Sequence, residues 1–157
     1  MQHNEQPHHL LDNMKAAFAA KGFLVELPHL SGKTLGTVYT SIEEKSLTAS
    51  FTFNANFNNP FRRTQGGFIC AYFDEVFGPL SFLVAKRPVV TLSLNTTYMR
   101  PFDQADEQII VRAEVVSQSK SILIMDAQAK TKDDKLIAIA TSHNMILNDE
   151  QLSRKPT

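Results

Sequence analysis

RTQGGFICAYFDEVFGPLSF, residues 63–82, decides how this chain folds. The stretch opens on the pair Gly66-Gly67 and then runs apolar almost without a break to about Ala85. A glycine pair lets the backbone turn tightly into a helix. An apolar run of this length reads as one buried helix that protein must surround. Pro79 is expected to bend that helix or to end its first part. Asp74 and Glu75 sit in the middle of the run, so the question is what two carboxylates do there. Together with Gly78 and Pro79 they also make the stretch a poor membrane span.

Strands flank the helix on both sides. SLTASFTFN, residues 46–54, alternates without a fault: Leu47, Ala49, Phe51 and Phe53 on one face, Ser46, Thr48, Ser50, Thr52 and Asn54 on the other. That pattern predicts an antiparallel strand with one wet face. A weaker strand precedes it over Leu35 to Ile42, and EEKS makes the turn between them. After the helix, VVTLSLNTTYM (89–99), IIVRAEVVSQ, SILIMDAQAKT and KLIAIATSHNMIL read as three or four more strands. In the first of these, Val90, Leu92 and Leu94 share one face, with Thr91, Ser93, Asn95 and Thr97 opposite. Near the N-terminus, Leu10, Met14, Ala17 and Phe18 fall on one helical face ahead of Gly22, and residues 23–34 read as a loop. A run of strands around one apolar helix implies an α+β fold with the sheet wrapped around the helix.

The chain has 157 residues, which suits one domain with its own core. Three parts are expected: an N-terminal helix and loop over 1–34, the main domain over 35–148, and a disordered tail over 149–157. Sixteen basic and 16 acidic residues cancel, so no global basic field exists to hold nucleic acid. Cys70 is the only cysteine, which rules out an intrachain disulfide and fits a cytoplasmic protein. MQHNEQPHHL lacks a basic segment before an apolar core, so no secretory signal is expected. His3, His8 and His9 carry no zinc spacing and read as surface residues, so no metal is expected. Cys70, Asp74 and His143 make a conceivable nucleophilic triad, although a lone cysteine in a buried helix is more often packing.

Asn59, then Gln65-Gly66-Gly67, then Asp74 on the following helix resembles the thioesterase superfamily of hotdog-fold proteins. VTLSLNTTYMRP, residues 90–101, resembles that family's central strand with its Tyr-x-x-Pro ending. The likeness runs over roughly residues 35–147, within the branch of phenylacetate-pathway and medium-chain acyl-coenzyme A thioesterases. It implies a curved antiparallel sheet around the long helix, assembled as a homodimer or a dimer of dimers. One departure is Gln65, where the family usually has a histidine.

The resemblance also implies roles. The Gly66 N–H, at a helix N-terminus, would stabilise the oxyanion of a thioester. Asp74 would be general base or nucleophile, its pKa raised by desolvation. Asn59 would bond the attacking water or the carbonyl, Thr91 would steer the acid or the water, and the Gln65 amide would hold the loop. Arg62, Arg63 and Arg100 are candidate contacts for the phosphates of coenzyme A, which enters as part of the substrate; no separate cofactor is expected. Blander readings stand beside these: the glycines form a turn, the two acids lie on an exposed helix edge, and Thr91 belongs to a wet strand face. Gly66 and Asp74 are eight residues apart, hence about 12 Å along one helix, too far to act together on one carbon. A shared site therefore demands a second subunit. Two functions follow: hydrolysis of acyl-coenzyme A, or non-catalytic binding of an acyl thioester. A DNA-binding regulator would need a helix-turn-helix, and residues 1–34 offer one helix.

Overall fold

The computed structural model describes residues 7–153. Six strands form one antiparallel sheet in the order β1-β2-β4-β5-β6-β3: β1 Val38–Glu43, β2 Ser46–Thr52, β3 Val89–Tyr98, β4 Gln108–Gln118, β5 Ile122–Thr131 and β6 Leu136–Ile146. The central helix α3, Gly66–Ala85, packs on one face of this sheet. The fold is α+β and of the hotdog type, as expected.

The core forms where the strands turn one face to α3. Leu47, Ala49, Phe51, Val111, Leu123 and Met125 from the sheet join Tyr72, Phe73, Val76, Phe77 and Leu80 from the helix in one buried cluster. Ala113, Ala127, Ala129, Ala138 and Ala140 line the same side of β4, β5 and β6. Short side chains there let the helix backbone come close, while its large aromatics fill the space between. The Phe51 and Tyr72 rings stack at 4.3 Å, tying β2 to the helix. On β2 the wet face is less wet than its alternation suggests. Ser46 and Ser50 are buried, because their short side chains lie on an interior strand between longer neighbours.

α3 does not stop at Pro79 but continues to Ala85. Proline removes the N–H that would bond the carbonyl four residues earlier, at Glu75. That carbonyl accepts instead from the Tyr39 hydroxyl of β1, at 3.4 Å. A tertiary contact thus takes up the group that the proline leaves free. By length and composition α3 is apolar enough to cross a membrane, but in this fold half of it is buried against the sheet.

The ends correct three expectations. Helix α1, Pro7–Ala19, buries Leu10, Met14 and Phe18 but leaves Ala17 exposed, and Phe18 stacks on Phe82 of α3 at 4.0 Å. Within the expected loop a second helix forms, α2, Leu30–Leu35, too short to show a period in sequence. It crosses the boundary placed at residue 34. The tail placed from residue 149 as disordered begins with helix α4, Asp149–Ser153, held by an ion pair between Asp149 and Arg87. His3 and the side chain of His8 lie outside the described residues.

Candidate active site

The start of α3 is built by the loop before it. Asn59 accepts hydrogen bonds on its side-chain oxygen from the N–H groups of Phe61 (2.9 Å) and Arg63 (3.2 Å). Its own N–H donates to the Arg63 carbonyl at 2.7 Å. The Asn59 oxygen is thus spent on closing the loop, and only its amide NH2 remains to meet a substrate. Gln65 is the N-cap residue, yet its side chain does not cap the helix. Its amide donates to the Asn58 carbonyl at 3.3 Å and ties the loop to the helix start.

Gly66 and Gly67 follow as the first helical residues. Among the described residues, neither of their N–H groups finds an acceptor. Two free donors at the positive end of a 20-residue helix make a place for developing negative charge. Tyr98 of β3 fixes their geometry. Its hydroxyl donates a 2.6 Å bond to the Gly66 carbonyl, which belongs to the same peptide plane as the Gly67 N–H. Burial raises the Tyr98 pKa, with Cys70 adding to the rise, so the hydroxyl keeps its proton.

Along α3 the acids diverge. Glu75 is buried beneath α2 and β1, while Asp74 is exposed. Asp74 shares an uncovered stripe with Gly67 and Gly78, flanked by half-buried Cys70 and Ala71. Protein therefore does not surround the helix within one chain, contrary to the expectation from its composition. Partial desolvation raises the Asp74 pKa above the ordinary aspartate range, and the charge of His29 works against it.

Thr91 lies on the helix side of the sheet. Leu92 is bulged out of the β3–β6 pairing, so Thr91 pairs with inward Asn144 while Ser93 pairs with outward His143. The bulge breaks the expected face of Val90, Leu92 and Leu94 and puts Thr91 on one side with Leu94, Thr96 and Tyr98. On that side Tyr98 meets Gly66 and Thr96 meets the Cys70 sulfur at 3.5 Å. The β6 partners of Leu94 and Thr91, Ser142 and Asn144, are two residues apart, so Thr91 lies about 7 Å past Leu94 along the sheet. The structure thus gathers Asn59, Gln65 and Gly66 at one end of the helix. Asp74 stands two turns along, and Thr91 makes no hydrogen bond to either end among the described residues.

Arg62 and Arg63 line an open cavity of about 540 Å³ with Phe53, Asn58, Asp103 and Gln104. Arg63 pairs with Asp103 at 2.6 Å, and Arg62 has no ion-pair partner among the described residues. Arg100 is not part of that lining. The triad of Cys70, Asp74 and His143 does not form. His143 Nδ1 bonds the Ser93 hydroxyl at 3.0 Å on the far face of the sheet from Cys70. Among the described residues no cluster of three His, Cys, Asp or Glu side chains could hold a metal ion. Sequence reasoning gave Tyr98 no role, and the Tyr-x-x-Pro ending was the signal for it. It missed His29 altogether, which carried no local signal.

Known structures share this architecture. A phenylacetic acid degradation-related protein from Ralstonia eutropha JMP134 superposes with a TM-score of 0.72 at 24% identity, over 83% of this chain and 98% of that one. The Escherichia coli PaaI protein from the phenylacetic acid degradation operon gives 0.73 at 17% identity, over 88% and 96%. A hypothetical thioesterase from Streptococcus pneumoniae TIGR4, solved with coenzyme A, gives 0.67 at 14% identity, over 71% and 86%. At these identities the likeness is one of fold. No curated protein matches the chain. Residues 65–138 match the family model of the thioesterase superfamily, which supports thioester hydrolysis as the general activity. The matched segment begins at Gln65 and takes in α3 with β3, β4 and β5. Over these residues, just under half of the chain, the sequence matches the thioesterase superfamily, and the fold of the chain is the hotdog fold.

Proposed function

We propose that the protein hydrolyses acyl-coenzyme A to a free acid and coenzyme A, in a site shared between two subunits. The observation that carries this is the helix start itself: Gly66 and Gly67 present two free N–H groups, and Asp74 lies on the uncovered stripe of the same helix. The S. pneumoniae neighbour holding coenzyme A supports that class of substrate.

In this reading the thioester oxygen accepts from the Gly66 N–H and gains stabilisation as it becomes an oxyanion. The Asp74 carboxylate either takes a proton from water, whose oxygen adds to the carbonyl carbon, or itself adds to that carbon. In the first case the tetrahedral intermediate collapses to acid and thiolate. In the second, thiolate leaves an anhydride on Asp74 that water then opens. Asn59, through its amide NH2, and Thr91 supply further polar contacts to carbonyl or water. Gln65 holds the loop in place. Arg62 is the freer cation for a coenzyme phosphate, with Arg63 beside it paired to Asp103, and Arg100 is a third candidate.

Gly66 and Asp74 are separated by about 12 Å on one continuous helix, so the acid comes from a second copy. β3 supports that partner: it is an unpaired edge of ten residues carrying exposed Val90, Leu92 and Tyr98, with Met99 following. Long apolar edges of this kind invite pairing. Antiparallel helices across a two-fold axis would set each Gly66 near the partner's carboxylate. A dimer of such dimers is compatible with this arrangement.

The test is thiol release from a panel of acyl-coenzyme A esters of varied chain and ring, by the parent and by Asp74→Asn. Release by the parent, lost in a folded Asp74→Asn, upholds the reading. Equal turnover by both excludes Asp74. Saturable binding without release from any ester would make the protein an acyl-thioester binder, the reading favoured by Gln65 standing in place of a histidine.

A further inference from the structure

The turn over residues 59–63 is tightly built, and it presents two side chains at the surface. The Asn59 side-chain oxygen accepts from the N–H groups of Phe61 and Arg63, and its carbonyl accepts from the Arg62 N–H at 3.0 Å. Its own N–H closes the turn on the Arg63 carbonyl. Held in this way, Phe61 is 83% exposed. A ring so open to water adds little burial to the fold. Arg62 sits at φ 59°, in the left-handed region, where glycine or asparagine would be less strained. Its guanidinium makes no hydrogen bond or ion pair among the described residues. The turn thus holds in place a bare aromatic and a free cation that do nothing for its own stability.

Arg62 lines the open cavity of about 540 Å³ beside this turn. The charges around that cavity are neutralised: Arg63 by Asp103, Lys135 by Asp106 at 4.0 Å, and Lys132 by Glu107. Among the lining residues Arg62 is the one cation left uncompensated. The cavity adjoins the start of α3, because the Gln65 amide donates to the carbonyl of Asn58, another lining residue. Arg62 is four residues from Gly66, hence at most about 14 Å away along the chain.

We propose that this turn is a nucleotide clamp: Arg62 binds a phosphate of the coenzyme, Phe61 stacks on its adenine, and together they select thioesters of the whole coenzyme over thioesters of a carrier protein's pantetheine arm. The selectivity rests on acyl-coenzyme A as the substrate; the nucleotide site does not. A guanidinium takes a phosphate through several N–H groups at once, and an aromatic face accepts any base. A carrier-bound arm ends in one phosphodiester and offers no base. Its acidic protein would also need a broad basic surface, which the paired charges around the cavity do not supply.

The experiment titrates the full chain calorimetrically with adenosine 3′,5′-bisphosphate and, separately, with inorganic phosphate, so the clamp is tested without turnover. The parent should bind the bisphosphate, and more tightly than inorganic phosphate. Arg62→Gly suits the left-handed position, so it should keep the fold while binding the bisphosphate about tenfold more weakly. Phe61→Ala, at an exposed position, should weaken binding by a similar factor. In parallel, kcat/KM is measured for one acyl group carried on coenzyme A and on pantetheine. The ratio should favour the coenzyme in the parent and fall toward unity in both variants. No binding of the bisphosphate, or unchanged binding in the two folded variants, overturns the proposal. So does inorganic phosphate binding as tightly as the bisphosphate, since no base is then read, or a parent that cleaves both thioesters equally well. Bisphosphate binding that both variants weaken, with no cleavage of either thioester, upholds the clamp and counts instead against the hydrolase reading.

Discussion

The Tyr98 hydroxyl grips the Gly66 carbonyl at 2.6 Å, and its ring occupies the space that a side chain at residue 66 would need, with a Cβ there only 2.9 Å from the ring's Cζ. One aromatic thus does two things for the helix start. It excludes any residue but glycine at position 66 unless it moves, and it orients the peptide plane whose N–H belongs to Gly67.

Removing only the hydroxyl separates these effects. Tyr98→Phe keeps the ring and loses one neutral hydrogen bond, about 1 kcal/mol. If the bond serves the transition state, kcat/KM should fall by up to about tenfold with the fold intact. Steady-state kinetics with far-ultraviolet circular dichroism on the same sample check this. An unchanged kcat/KM would show that the orientation survives without the bond.

A shared site can be tested by mixing two inactive proteins. Gly66→Pro removes the N–H at the first helical position, where proline is tolerated. Gln65, at φ −62° and ψ 142°, already has the conformation that a following proline requires. Tyr98 must yield somewhat, since proline also carries a Cβ. Mixed with Asp74→Asn and allowed to exchange subunits, it forms hybrids in which one of two sites is whole. Half of the dimers are then hybrids, so recovery should approach about a quarter of parental activity. No recovery after exchange proven by mass spectrometry would place the site within one chain.

Much of this architecture is legible from local pattern, and the failures share one cause. The apolar run after Gly66-Gly67 and the alternation of residues 46–54 identify α3 and β2 because burial alone sets their periods. The face of Thr91 is not legible, because the bulge at Leu92 arises in pairing with β6. That the helix runs on past Pro79 is not legible, because the group that satisfies the Glu75 carbonyl, Tyr39, lies 36 residues away. At the candidate site, Gly66 and Asp74 are found from their spacing and the family pattern. Tyr98 meets Gly66, and His29 meets Glu75 beside Asp74, through contacts across the fold that no local window contains.

Gly32 offers a stability test away from the helix start. A methyl at this position would overlap Glu75 Oε1 and lie 2.9 Å from the Pro28 Cβ. Both neighbours are confined, one by burial and one by its ring. Gly32→Ala should therefore destabilise the fold by about 1–3 kcal/mol, the range for overpacking. Urea unfolding of parent and variant at one pH measures it. A gain in stability, as expected for Gly→Ala in an open helix, would show that α2 is not seated on Glu75.

Glu75 also gives stability a pH dependence of definite sign. Burial raises its pKa first, with the charge of Asp74 adding, while His29 and the Tyr39 hydrogen bond oppose. Since the net direction is upward, the folded protein binds a proton more readily than the unfolded chain between the ordinary glutamate value and the raised one. The contribution of Glu75 is therefore full below the unfolded pKa and is lost as pH rises through the folded one. Exposed Glu26, Glu43 and Glu107 act oppositely. Their pKa values are lowered by hydrogen bonds to Lys33, Arg112 and Lys132, so their contributions are lost as pH falls. The parent's own profile mixes both signs, and only a difference isolates Glu75. Glu75→Gln keeps the shape and removes the titration. Relative to the parent, it should gain stability steadily as pH rises from mildly acidic toward neutral, read as the difference in urea midpoint across a pH series. A difference that runs the other way would mean that His29 and Tyr39 outweigh burial, and that Glu75 is held as a carboxylate throughout.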